Sequence, residues 1–320
     1  MRVLITGGAG FIGSHLVDRY LAEGHDVVVY DNLSTGHRRF LEPALATGRC
    51  RLVVGDVLDR ERLADSLEGC GEVAHLAANA DVRRGREWPE RDLEQNAVGT
   101  SQVLEAMRSA GVTRLLFSST GAIYGEPDVF PTPEDAPLPV QTSLYGASKL
   151  AAEGLITAYC HGFGFSACIF RFVSILGPRY SHGHVFDFVR KLLANADEIE
   201  VLGDGRQVKS YLHVRDCIEG MRTAAGTLKE PGQIVLRNLG HKDSCTVDDS
   251  LGWISGRLGV EPRRRYTGGE RGWVGDSPRV HLDCARMHAD GWGPSYSIRD
   301  GVETTVDYLL ANRWLLDARA

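Results

Sequence analysis

The run Val3-Leu-Ile-Thr-Gly-Gly-Ala-Gly-Phe-Ile-Gly-Ser-His15 restricts the fold of this 320-residue chain more than any other stretch. A short apolar strand enters glycines at Gly7, Gly10 and Gly13, and an apolar helical spacing follows at Phe11, Leu16, Val17, Tyr20 and Leu21. Such glycines permit a tight turn and let the backbone approach a pyrophosphate at a helix N-terminus, where unpaired N–H groups and the dipole favour anions. Three glycines alone mark any strand–helix turn. The context narrows the choice, because a second strand, Val27-Val-Val-Tyr30, ends in Asp31. A carboxylate about 20 residues beyond the glycines is placed to take both hydroxyls of an adenosine ribose.

Strand and helix patterns then alternate. Cys50–Val54 leads to Gly55-Asp56-Val57, a helix over Arg60–Leu67 to a strand over Glu72–Ala78, and a helix over 93–110 to Thr113–Thr120. A proline-rich loop (Pro127, Pro131, Pro133, Pro137, Pro139) precedes the next helix. Such alternation gives right-handed crossovers and a parallel sheet covered on both faces. Beyond Phe172 the pattern loosens, with helices expected at roughly 184–195, 214–225 and 246–258. The expected class is α/β: a doubly wound parallel sheet with a smaller mixed α/β lobe, binding ligands beyond the carboxyl ends of the strands.

Tyr145 and Lys149, four residues apart on the helix after the proline-rich loop, share one helical face. A phenol with a pKa of about 10 is a poor base at neutral pH, and an ammonium on the same face lowers that value. Tyr124 and Tyr159 have no lysine four positions on. The pair alone is common on amphipathic helices; its weight comes from the nucleotide-binding run in the same chain.

A net charge of −6 argues against nucleic acid as a partner. The seven cysteines (50, 70, 160, 168, 217, 245 and 284) are scattered without a Cys-x-x-Cys pair, which fits buried thiols in a reducing compartment. The first strand begins at residue 2 or 3, leaving no room for a leader, and the best apolar run, Ala167–Leu176, is interrupted by Arg171. A cytoplasmic protein without membrane or metal is expected.

The motifs Thr6-Gly-Gly-Ala-Gly-Phe-Ile-Gly13, Asp31, Asp56-Val57, His75-Leu-Ala-Ala78, Asn96, Ser118-Ser-Thr120 and Tyr145–Lys149 run in that order. Gly203-Asp-Gly, His213-Val-Arg-Asp216 and Arg271-Gly-Trp-Val-Gly-Asp276 follow. Together they resemble the extended short-chain dehydrogenase/reductases of the NAD-dependent nucleotide-sugar epimerase/dehydratase family, over nearly the whole length. The resemblance implies a Rossmann domain over residues 1–172, with returning segments at about 208–240, and a substrate lobe mainly over 173–320. It implies NAD as cofactor, held by Gly7, Gly10, Phe11, Ile12, Gly13, Asp31, Asn32, Asp56, Val57, Leu76, Ala77, Ala78, Asn96, Ser118, Tyr145, Lys149 and Phe172. Asp31 favours NAD over NADP, with Arg38 and Arg39 nearby as opposing charges. Asn96 has the alternative role of a polar group in helix packing.

By the same resemblance Tyr145 is the base that takes a sugar hydroxyl proton, Lys149 lowers its pKa and holds the nicotinamide ribose, and Thr120 orients the hydroxyl. Asp81, Arg83, Thr120, Ser174, His184, Val201, Lys209, Tyr211, Arg271 and Asp276 are the implied substrate contacts. The implied reaction is 4-epimerisation of a UDP-hexose through a 4-keto intermediate by a homodimer. Alternatives are a UDP-N-acetylhexosamine or UDP-uronate epimerase, a decarboxylase or reductase, or a non-catalytic dinucleotide-sensing protein.

Several positions depart from the family pattern. Members that eliminate water carry Asp-Glu after this threonine, whereas Gly121 and Ala122 stand here and move no proton. The family's Arg-x-x-Asn near the diphosphate is Arg171-Phe-Val-Ser174, and its Arg-Asp before an aromatic is Lys209-Ser210-Tyr211. Lysine neutralises a phosphate without the bidentate fork of arginine, which leaves Arg271 as the best grip on a diphosphate. His182 and His184, two apart, make no metal site without further ligands.

Overall fold

In the computed structural model, which describes residues 1–80, 87–138, 140–273 and 275–318, the apolar runs of the first half become six strands. These are β1 (Arg2–Thr6), β2 (Asp26–Asp31), β3 (Cys50–Val54), β4 (Cys70–His75), β5 (Arg114–Thr120) and β6 (Ser166–Phe172). The chain then leaves the main sheet for β7 (Ser174–Leu176), β8 (Glu198–Val201), β9 (Val208–Lys209) and β10 (Tyr211–His213). It returns with β11 (Ile234–Leu239) beside β6, giving a seven-stranded parallel sheet in the order β11-β6-β5-β4-β1-β2-β3. β12 (Cys245–Thr246), β13 (Arg263–Tyr266) and β14 (Arg279–Val280) belong to small sheets of the second lobe.

Near-continuous apolar strands suit a sheet buried on both faces. Val3 and Ile5 of β1 join one hydrophobic cluster and Leu4 the other, as strand alternation requires. The first cluster continues through Val185, Val189, Leu251 and Val306, so both lobes share a core. Parallel register sets the working edge: Thr6 lies opposite Tyr30 and His75, His75 opposite Phe117, and Thr120 opposite Phe172.

The helix of Tyr145 and Lys149 spans Leu144–Phe163, with Ser143 Oγ accepting from the Gly146 amide at 3.0 Å and Gly164 closing it at φ 69°. The stretch expected as one helix over 93–110 is a π-helical turn, Leu93–Val98, continuing into an α-helix, Gly99–Ala110. His184–Ala194, Val214–Ala225 and Val247–Leu258 lie within a residue of the expected ranges. A further helix, Ile298–Ala311, was not among the expectations, although its capping box, Ser297 with Asp300, is readable in sequence. Six apolar residues of the 93–110 and 145–160 helices divide between the sheet-facing core, as one reading of their spacing allows, and the outer face that a dimer would bury. Val103, Leu104 and Ile156 are in the core, Leu150 and Leu155 are half-buried, and Val98 is exposed.

Arg171 on β6 makes a bidentate, buried ion pair with Glu153 of the Leu144–Phe163 helix, Nη2 to Oε2 at 2.8 Å and Nε to Oε1 at 3.2 Å. Ser119 Oγ donates to the same carboxylate at 2.5 Å, and Arg171 Nη1 donates to Tyr124 Oη (2.8 Å) and Glu134 O (3.0 Å). Removing one partner strands a buried charge, whereas replacing both with apolar groups removes the desolvation cost too. Arg171→Ala is therefore expected to destabilise the fold by about 3–5 kcal/mol in denaturant titration, and Arg171→Met with Glu153→Leu by clearly less. A double variant as unstable as the single one would refute this account of the pair.

Candidate active site

The turn after β1 is built for an external anion. Gly7 has φ +69°, and a Cβ there would sit 2.6 Å from the Ala77 nitrogen; one on Gly13 would sit 2.2 Å from Gly7 O. Gly10 N–H donates to Gly7 O at 3.0 Å, and the helix Phe11–Ala22 starts at Gly10 without a side-chain cap. Its first-turn amides are thus left to a ligand, which fits a dinucleotide pyrophosphate. Asp31 ends β2 and is 8% exposed; its Oδ2 accepts from the Ala9 amide (2.9 Å) and its Oδ1 from the Leu33 amide (2.8 Å). Burial raises its pKa and these two bonds oppose that rise. Asp31 therefore also staples the loop after β2 to the glycine turn. Asn32 Nδ2 donates to Asp56 Oδ2 at 2.8 Å, and Val57 is buried beneath them against Gly99. Leu76, Ala77 and Ala78 are half-buried beyond β4, tied to Thr6 through the Leu76 amide (3.1 Å) and the Ala77 amide (3.2 Å). Phe11 packs edge-on against Tyr180, and Ile12 rests on the core.

His75 lies beneath this surface, its side chain without a role in the sequence reading. Its Nδ1 is 2.7 Å from Thr6 Oγ1 and its Nε2 3.1 Å from Thr100 Oγ1. Thr100 donates its hydroxyl to Asn96 O at 2.5 Å, so it accepts from His75 Nε2–H. That assigns Nδ1 as acceptor from Thr6, whose oxygen in turn accepts the Ala77 amide. The ring is fully buried and neutral, with its pKa lowered to about 3 by burial and by the Lys149 charge.

Thr120 ends β5, its Oγ1 accepting from the Ala122 amide at 3.1 Å, and its side chain comes near enough to the Tyr145 phenol to favour the phenolate. Burial pushes Tyr145 up to about 12, Thr120 lowers it, and the Asp92 carboxylate raises it. Lys149 is 1% exposed, with Nζ 4.0 Å from the centre of the Phe117 ring. Burial lowers its pKa to about 7, against the pull of Glu153 one turn further along the helix. Burial is the largest influence on both groups, and Lys149 is not among the groups that shift the phenol here.

Asn96, in the π-helical turn, is 1% exposed. Its Oδ1 accepts from the Asn79 amide (2.8 Å), and its Nδ2 donates to Asn79 O (3.2 Å) and Ser148 Oγ (2.9 Å). The side chain clamps the loop after β4 to the Leu144–Phe163 helix, a helix-packing role. Ser118 Oγ donates to His75 O at 3.3 Å, and Phe172 is buried at the end of β6.

At the second-lobe end the expected substrate contacts divide. Ser174 is exposed on β7, in register with Tyr211. Tyr211 is buried and stacked on His184 (centroids 4.7 Å apart), whose Nε2 is 2.8 Å from Ser250 Oγ; Val201 is wholly within the core. Lys209 Nζ is 2.7 Å from Asp276 Oδ1, and Arg271 pairs with Glu126 while donating to Asp276 O at 2.8 Å. Arg171, in the run matched to the family's diphosphate motif, is a buried scaffold cation instead. Asp81 and Arg83 lie outside the described residues. No group of three or more metal-ligating side chains occurs among the described residues.

Residues 3–236 match the model of the NAD dependent epimerase/dehydratase family. The UDP-glucose 4-epimerase of Corynebacterium glutamicum is 36% identical over 331 residues, covering 94% of this chain and 97% of that protein. The Thermotoga maritima UDP-glucose 4-epimerase, solved with UDP-glucose, superposes with a TM-score of 0.86 at 30% identity, covering 98% of this chain and 100% of that one. A double mutant of a Streptomyces venezuelae dTDP-glucose 4,6-dehydratase, solved with NAD, gives a TM-score of 0.89 at 30% identity, with 100% of each chain covered.

Two buried histidines make acid sensitivity testable. His75 (about 3) and His213 (about 4), both lowered chiefly by burial, are neutral in the fold at pH values where unfolded histidine, near 6.5, takes up a proton. Below that value the unfolded chain binds more protons, so their contribution is complete above about pH 6.5 and lost as pH falls toward 4. The melting temperature is expected to drop between pH 7 and 5, while ordinary carboxylates stay ionised, and His75→Asn should flatten that drop. An unchanged slope in His75→Asn would rule out His75 as a source.

Proposed function

The chain belongs to the NAD-dependent epimerase/dehydratase family, and we propose that within it this protein is a UDP-hexose 4-epimerase. The observation that carries this reading is the meeting of Thr120 and Tyr145 above the buried Lys149, at the sheet edge beside an uncapped anion-binding helix. Residues 1–172 with about 208–240 would form the NAD-binding part and the rest of 173–320 mainly the substrate lobe. Gly7, Gly10 and Gly13 would hold the pyrophosphate, Asp31 the adenosine ribose, and Lys149 the nicotinamide ribose. When bound, NAD accepts a hydride from the sugar C4 and returns it.

The protein's own work is proton transfer and orientation. Tyr145 takes the proton of the C4 hydroxyl, Thr120 fixes that hydroxyl, and Tyr145 returns the proton after the 4-keto sugar has turned. The Gly121–Tyr124 turn follows Thr120, and neither Gly121 nor Ala122 carries a titratable group, which supports epimerisation over loss of water. All seven cysteines are free thiols, which suits a reducing, cytoplasmic setting, and among the described residues no helix is long and apolar enough to cross a membrane.

A homodimer is the proposed assembly. The outer face of the Leu144–Phe163 helix carries exposed Ala151, Gly154, Ala158 and Phe163, with Val98 exposed on the neighbouring turn. Small residues there permit close approach of a second pair of helices. Sedimentation is expected to give about twice 35.0 kDa, and a monomer at micromolar concentration would reject the dimer.

The function is tested by supplying UDP-, dTDP-, GDP- and CDP-sugars without added NAD and separating the products. Interconversion of UDP-glucose and UDP-galactose is expected, with deuterium at C4 retained by the sugar. Tyr145→Phe should keep NAD binding and lose about 10²–10⁴-fold or more in turnover. Deuterium washout into water, or near-wild-type turnover by Tyr145→Phe, would overturn the mechanism.

A further inference from the structure

Lys209 takes the place where many family members carry arginine, and its surroundings point to a different task. Its ammonium, 15% exposed, donates to Asp276 Oδ1 at 2.7 Å and to Ser277 O. Asp276 is 4% exposed, and its Oδ2 accepts from the Gly272 amide at 3.0 Å. β9, which carries Lys209, pairs with β14 just beyond this segment, and Val208 N–H donates to Pro278 O at 2.9 Å. Strand and ammonium thus grip the segment Arg271–Ser277 from one side.

The other side of that segment touches the catalytic machinery. Ser277 Oγ donates to Gly125 O at 3.2 Å, at the end of the turn that follows Thr120. Gly275 lies so close to Thr142 that a Cβ on it would be 3.1 Å from Thr142 O, immediately before the cap of the helix carrying Tyr145. Arg271 reaches Glu126 and Asp276 O from the start of the segment. A lysine whose ammonium is held by a buried carboxylate and a carbonyl is poorly placed to serve a mobile phosphate as well.

We propose that Lys209 is a positioning residue: through Asp276 it clamps the Arg271–Ser277 segment against the two turns that present Thr120 and Tyr145, and it is not itself a phosphate ligand. The clamp sets where Arg271 offers its guanidinium. The consequence for substrate rests on the UDP-hexose reading: diphosphate recognition falls to Arg271 and suffers indirectly when the clamp is opened.

The test compares wild type with Lys209→Met, Lys209→Arg, Asp276→Asn and the Lys209→Met/Asp276→Asn double variant. Limited trypsin digestion with mass spectrometry of the 272–320 fragment reports the clamp without any ligand. Cleavage after Arg271 should speed up equally in Lys209→Met, Asp276→Asn and the double variant, with Lys209→Arg staying protected. UDP titration should show the two single variants weakened by about tenfold and the double variant no weaker than either. Unchanged cleavage in Lys209→Met, or UDP losses that multiply in the double variant, would overturn the proposal and make Lys209 a phosphate ligand. Absence of UDP binding in the wild type would refute the UDP-hexose reading alone, since the digestion still decides the clamp.

Discussion

The buried Glu153 carboxylate is the interaction on which the rest of the site depends. The helix Leu144–Phe163 must hold Lys149 almost wholly out of water, and a buried ammonium needs a compensating charge. Glu153, one turn on, offsets part of that cost, and Arg171 and Ser119 hold its carboxylate in place. Arg171 extends the network to Tyr124, whose hydroxyl donates to Asn238 Oδ1 at 2.8 Å, while the Asn238 amide donates to Glu134 Oε1 at 2.8 Å. One connected set of bonds therefore fixes the catalytic helix, the strand ending in Thr120, the turn after it and the edge strand β11. Thr120 and Tyr145 meet because their supports are cross-linked, and a network with every member satisfied makes that geometry rigid.

What was legible in the sequence was local. The glycine turn, Asp31, and the Tyr145–Lys149 spacing are set by a few consecutive residues, and the structure places each of them at the carboxyl edge. What was not legible lies in pairings between distant residues. Lys209 and Asp276 are 67 positions apart, and Arg171 reads as part of a diphosphate motif until its buried partner 18 positions earlier is seen. His75 reads as the start of a motif, but its buried role was not legible, because its partners Thr6 and Thr100 come from a different strand and a helix. Hydrophobic spacing over 93–110 indicated a continuous helix and could not reveal that Asn96 sits in a π-helical turn, where it bridges the loop after β4 to the catalytic helix.

Shape does not choose between reactions in this family. A dehydratase and an epimerase superpose on the chain about equally well, so the choice rests on which groups reach the sugar. Position 121 is informative beyond its lack of a titratable group. A Cβ there would lie 3.2 Å from Phe172 O and 3.3 Å from the Leu282 side chain, so an acidic residue would need the end of β6 or Leu282, just after β14, to give by a few tenths of an ångström. The surroundings of Gly121 are tightly packed, and in the proposed reaction the proton chemistry stays with Tyr145.

The titrations of Tyr145 and Lys149 share a cause that fits the proposal of one phenol serving as both acid and base. Exclusion of water raises Tyr145 to about 12 and lowers Lys149 to about 7, so each charge alone is disfavoured. Charges of opposite sign formed together attract strongly in the same dry surroundings, which makes the phenolate dependent on positive charge nearby. Thr120 adds a bias toward the phenolate, and Asp92 a bias against it. In the proposed reaction the phenol keeps its proton until cationic and hydrogen-bonding groups assemble around it. A base with a permanently low pKa would hold the proton too weakly to give it back. Burial, opposed by Thr120, leaves Tyr145 able to do both.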